Sequence, residues 1–136
     1  LEAIARGAGG FAGVVCPMQD ARAGQVYCAA YRGGERILPD GAMKLSEFLA
    51  SLPEEAECLF IGDGAEANRE KIVQAMGERA VFAQAGEMNL RAANAALIAG
   101  EKSGTAVGWR ELLPYYLRRP QAEREREARE AASHAE

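Results

Sequence analysis

Three short stretches hold residue types that chemistry needs. The first is Asp20-Ala21-Arg22-Ala23-Gly24-Gln25-Val26-Tyr27. An aspartate at the end of an apolar strand, beside a turn, has two uses. It either holds a metal-bound water or pairs with Arg22 and braces the turn. The second stretch is Gly62-Asp63-Gly64-Ala65, placed where a strand turns into a helix. Glycines there let backbone N–H groups at a helix start approach a phosphate. The spacing is GxGxxA with no acidic residue following on a second strand, so the full dinucleotide fingerprint is not met. A tight strand-to-helix turn explains the same glycines. The third stretch is Pro114-Tyr115-Tyr116-Leu117-Arg118-Arg119. Two arginines beside aromatics suit RNA, by stacking and charge. The acidic tail that follows weakens this, and an extended final segment laid along the domain explains the same residues.

Other chemistry finds little to work with. The one histidine, His134, stands in a polar tail, away from Ser46, Ser51, Ser103 and Ser133. A histidine-based triad is therefore excluded in practice. No pair of carboxylates stands out as general acid and base. Cys16, Cys28 and Cys58 are odd in number, lack a CxxC, and sit in apolar or strand-like settings. They read as buried thiols of a reducing compartment, not as zinc ligands. The formal net charge of -4 argues against independent binding of nucleic acid, which needs a clustered basic face.

The elements that must position these residues follow from periodicity. A chain of 136 residues is one ordinary domain with room for a core. Residues 1–6 read as the end of a helix, closed by Gly7, Gly9 and Gly10. The chain is thus expected to be a fragment whose natural start lies upstream. Residues 13–20 and 25–31 read as strands of an antiparallel hairpin, with Gly24 supplying the turn's unusual backbone angle. Tyr27 and Tyr31 share one face and read as packing. Gly33 and Gly34 make another turn, and Arg36, Ile37 and Leu38 open a third strand. Leu45, Phe48, Leu49 and Leu52 form one apolar stripe of a helix over 44–52, stopped by Pro53. Residues 57–61 predict a central strand, 65–76 a helix closed by Gly77, and 79–83 a further strand. Leu90, Ala93, Asn94, Leu97 and Ile98 mark another amphipathic helix, ending near Gly100 or Gly104.

Strands alternating with helices after an opening hairpin predict an α/β domain: a mixed sheet with flanking helices. The composition shifts at Gln121 to Ala, Glu and Arg. Such a tail buries no face, so 120–136 reads as a solvated helix held by pairs such as Glu125 with Arg129, or as a linker. No apolar run of 18 residues and no signal peptide is present, so no membrane span is expected and a cytoplasmic location is.

Taken in order, these motifs resemble the C-terminal lobe of the TsaB (YeaZ) family of tRNA threonylcarbamoyladenosine biosynthesis. The matching residues are Asp20, Ala21, Arg22, Gly24, Gln25, Val26 and Tyr27. Then come Gly62, Asp63, Gly64 and Ala65, and last Leu113, Pro114, Tyr116, Leu117 and Arg118 with Ala122 and Glu123. Leu1-Glu2-Ala3-Ile4-Ala5 is similar to the family's SLEALA helix. The likeness spans residues 1 to about 124.

The resemblance implies one lobe of an actin and sugar-kinase-like, ribonuclease H-like ATPase fold over 1–119. The family's N-terminal lobe, which makes most of its partner contacts, has no counterpart here. The resemblance also implies a non-catalytic scaffold, although older names call the family a glycoprotease. Its partners would be a TsaD-type transferase and a TsaE-type ATPase, with tRNA met only through the complex. No cofactor is required on this view, and weak ATP or ADP with Mg remains an option. The resemblance also implies that the tail leads into a second domain, a fused RimI-type acetyltransferase as in some family members. The alternative is a nucleotide-binding lobe of an actin-like ATPase or kinase, with Asp20, Gly62, Asp63 and Gly64 as contacts. A metallopeptidase is set aside because its ligands are missing. An apolar surface left bare by a missing lobe would favour self-association.

Overall fold

The computed structural model describes residues 1–85, 87–118, 123 and 126. The opening hairpin forms as its pattern dictates. Strand β1 (Val14–Asp20) pairs antiparallel with β2 (Gln25–Arg32), setting Gln19 opposite Tyr27 and Asp20 opposite Val26. Gly33 and Gly34, with φ of 59° and 85°, turn β2 into β3 (Glu35–Lys44). The third strand is longer than Arg36, Ile37 and Leu38 suggested and carries Pro39. A proline is tolerated there because β3 lies at the sheet edge, and the register slips twice opposite Cys28–Tyr31.

The remaining strands are parallel to β1. Helix α2 (Leu45–Ser51) crosses from the hairpin to β4 (Cys58–Ile61), and a helical stretch leads on to β5 (Ala80–Phe82). The strand order is β3-β2-β1-β4-β5. This is the expected mixed α/β sheet, with antiparallel pairing on one side of β1 and parallel pairing on the other.

Alternation along β1 divides its residues between two cores. Val14, Cys16 and Met18 join Val26, Cys28, Cys58 and Phe60 on one face. There they meet the predicted stripe of α2 (Leu45, Phe48, Leu49 and the adjoining Leu52) together with Ile72 and Met76. Val15, Ala29, Tyr31, Leu59 and Ile61 line the other face, under Ile4 of helix α1 (Glu2–Ala5) and under Ala83 and Met88.

Two helices differ from expectation. The single helix over 65–76 is broken into α3 (Asp63–Ala67) and α4 (Arg69–Met76). The break has a local cause. Asn68 Nδ2 donates to the Gly64 carbonyl at 2.9 Å, taking the acceptor that the backbone N–H of Asn68 would have used in a continuous helix. Helix α5 (Ala92–Glu101) forms, but Leu90 lies outside it and Leu97 is exposed. Its link to the domain is polar instead: Asn94 Nδ2 donates to the Ala3 carbonyl at 3.0 Å, and Arg6 of the following turn pairs with Glu101. Among the described residues, no helix is long and apolar enough to cross a membrane.

Candidate functional site

Parallel strands β1 and β4 end side by side, and that edge collects the first two motifs. In open α/β sheets the carboxyl ends of the strands are where ligands are commonly received. Gly62 follows β4 with φ +111°, and a Cβ on it would strike the Met18 carbonyl oxygen. A Cβ on Gly64 would stand 2.6 Å from the Gln19 carbonyl carbon. Both glycines therefore let the start of α3 press on the backbone of β1, a structural demand independent of any ligand. Asp63 is exposed, and its Oδ1 accepts from the Gly64 N–H at 2.9 Å.

Asp20 caps the hairpin loop. Its Oδ1 accepts from the Arg22 backbone N–H at 3.0 Å, so it braces the turn through the Arg22 main chain. Bracing by the Arg22 guanidinium, as the sequence suggested, is not what the structure records. The loop is tighter than Gly24 alone foretold: Arg22, Ala23 and Gly24 have φ of 61°, 51° and 72° in succession. The Ala21 N–H donates to the Gln25 carbonyl at 3.1 Å, the Gln25 N–H to the Arg22 carbonyl at 3.0 Å, and the Leu45 N–H to the Gly24 carbonyl at 3.4 Å. Sequence gave no signal for Arg22 and Ala23, because neither is a type that usually adopts a left-handed backbone. Tyr27 is half-buried and Tyr31 buried on the same face of β2. The Tyr31 hydroxyl accepts from Arg36 Nε at 3.1 Å.

The third motif reaches this same loop. Arg118 Nη1 donates to the Ala21 carbonyl at 2.9 Å, across 97 residues of sequence. Arg118 and Leu117 are half-buried, whereas Pro114, Tyr115 and Tyr116 are exposed. The segment is therefore fastened at one end and not laid along the sheet. Arg119 and the Glu125 with Arg129 pair lie outside the described residues.

A cleft of about 510 Å³ lies elsewhere. It opens at the other end of β1, between the turn after α1 and the β2–β3 turn, with Phe11, Val15 and Tyr31 among its apolar walls. Its charges are already engaged. Arg6 Nη1 donates to Glu101 at 2.7 Å, and Glu2 accepts from Lys102 Nζ at 2.7 and 2.8 Å. No motif in the sequence marked it, since its walls come from three separate segments.

Cys16, Cys28 and Cys58 are free and fully buried. Burial pushes the Cys28 thiol up to about 12, far from a reactive thiolate. Among the described residues, no group of three or more His, Cys, Asp or Glu is placed to hold a metal ion.

Apolar exposure concentrates late in the chain. Trp109, Leu113 and Tyr115 are each about 80% exposed, with Leu90, Leu97, Val107, Leu112 and Tyr116 also bare. Arg110 stacks over the Trp109 ring, 4.8 Å from its centroid.

This geometry can be set beside known proteins. No protein-family model matches the chain. It is 32% identical over 128 residues to the tRNA threonylcarbamoyladenosine biosynthesis protein TsaB of Bacillus subtilis (strain 168). The match covers 90% of this chain and 55% of that protein, so the chain spans about half the length of this curated relative. A crystal structure described as an uncharacterized protein with similarity to peptidase YEAZ, from Pseudomonas aeruginosa, superposes with a TM-score of 0.61. At 24% identity, over 85% of this chain and 56% of that one, it is a likeness of fold. The resemblance carried by the three motifs thus holds along most of the sequence.

Proposed function

We propose, for a chain that is TsaB-like over 90% of its length, that it serves tRNA N6-threonylcarbamoyladenosine synthesis as the C-terminal lobe of a cytoplasmic scaffold. On this reading the protein supports a TsaD-type transferase and a TsaE-type ATPase, meets tRNA only in their company, and performs no bond-making step itself. The observation that carries it is the 32% identity to TsaB over 90% of this chain.

The local geometry is in keeping with a scaffold. The motif residues are engaged in holding backbone: Asp20 on Arg22, Arg118 on Ala21, and Gly62 and Gly64 against β1. The bare aromatic and aliphatic side chains from Leu90 to Tyr116 suit contact with another protein surface better than with RNA. Arg110 and Arg118 are already occupied by Trp109 and Ala21, and phosphate binding needs a field of available cations.

The test is a capture experiment with the full-length parent protein, with and without this lobe, against TsaD and TsaE of the same organism. Capture of TsaD by the parent is the expected result. Capture of neither partner would leave only a shared fold and would overturn the reading.

A second reading rests on one juxtaposition: Asp20 and the 62–64 turn lie at the same strand ends. Weak binding of ATP or ADP with Mg at this edge would place a metal-bound water near Asp20 and phosphate near Gly62, Asp63 and Gly64. Titration calorimetry with MgATP decides it. Affinity that disappears in Asp20→Ala supports this reading, and no heat at millimolar MgATP removes it.

A further inference from the structure

One peptide unit at the hairpin loop is held from both sides. The Ala21 carbonyl accepts from Arg118 Nη1, and the N–H of the same unit, on Arg22, donates to Asp20 Oδ1. A peptide unit is planar, with its C=O and N–H pointing in opposite directions. Fixing the carbonyl therefore fixes the direction of the N–H, and with it the orientation of the Asp20 carboxylate.

We propose that Arg118 is a positioning residue for Asp20: the segment 106–118 is a strap whose terminal guanidinium, through the Ala21–Arg22 peptide, sets the conformation of the Asp20 loop.

The strap has little else to hold it. Residues 106–118 form no regular helix or strand, and the large side chains of Val107, Trp109, Leu112, Leu113, Tyr115 and Tyr116 are exposed. Burial begins only at Leu117 and Arg118. The loop, in turn, needs an external hold. Arg22 and Ala23 both adopt left-handed backbone, which crowds Cβ against the peptide and does not persist without surrounding restraint. A body that engages Tyr115 or Tyr116 pulls two or three residues from the latch. The strap therefore couples that exposed surface to the strand edge where Asp20 and the 62–64 turn lie. The coupling is a property of the chain and stands or falls apart from the scaffold and nucleotide readings.

The test is amide hydrogen exchange, read residue by residue by NMR on the full chain, for the wild type, Arg118→Ala and Arg118→Gln. The expected result is exchange at least about tenfold faster at Ala21, Arg22 and Gln25 in both variants, with the Cys58–Ile61 amides of β4 unchanged. Unchanged exchange at Arg22 overturns the proposal. Equal acceleration at Arg22 and in β4 also overturns it, because Arg118 would then be a general support of the fold. If Arg118→Ala fails to fold, Arg118→Gln decides by the same criteria.

Discussion

Gly62 lies so close to Met18 that a methyl group on it would collide with the Met18 carbonyl oxygen. The obstacle is strand backbone at the centre of the sheet, which cannot rotate away as a side chain would. Gly62→Ala also forces a φ of +111° on a residue with a Cβ. We expect it to destabilise the fold by about 3 kcal/mol or more, at the severe end of single substitutions. Gly64→Ala should behave similarly, because its Cβ would stand 2.6 Å from Gln19. Urea denaturation followed by circular dichroism is the check. A midpoint within error of the wild type for either variant would show that the strand-to-helix turn is not packed as described.

Stability should fall at high pH. The Cys28 thiol is raised to about 12, first by burial and then by the charge of Asp40, from an ordinary value of 9.0. The unfolded chain therefore loses this proton first, and ionisation favours unfolding. The stabilisation is complete below pH 9 and is lost as pH rises from 9 towards 12. Each pH unit in that window is worth up to about 1.4 kcal/mol. Burial raises the Tyr31 hydroxyl as well, adding in the same direction. Denaturation at pH 8 and pH 10 should differ, and Cys28→Ala should narrow the difference. Equal pH dependence in the variant would place the effect elsewhere.

Exposed apolar side chains from Leu90 to Tyr116 should make the chain associate with itself when no other surface covers them. Sedimentation velocity over a wide concentration range is expected to show a rising average mass. Replacing Leu113 and Tyr115 by serine should reduce it. A monomer at every concentration would rule the surface out as an adhesive one.

The polar link between α1 and α5 should contribute little to stability. Arg6 with Glu101 and Glu2 with Lys102 are substantially exposed, and water screens such pairs so that they add little. Glu101→Gln is expected to shift the denaturation midpoint only slightly, and less still at high salt. A large shift would mean that α5 is held by its charges.

What the sequence by itself determined was whatever depends on near neighbours in the chain. The valine and tyrosine run of β2, the Gly33 and Gly34 turn, and the Leu45, Phe48, Leu49 and Leu52 stripe each carried their own element. The apolar run of β1 likewise marked a buried strand, and the three motifs carried the resemblance to TsaB that the comparison extends over 128 residues. Only the tertiary structure decided what depends on residues far apart. The split at Asn68 is local by contrast, four residues from the Gly64 carbonyl that its side chain takes, but helical spacing does not say whether the side chain or the backbone N–H wins that acceptor. The left-handed backbone of Arg22 and Ala23 goes against the preference of both residue types and is held by bonds to Gln25, Asp20 and Arg118. The Leu97 face looked like core from its spacing, yet it stays exposed, because periodicity says which residues share a face and not whether a partner covers it.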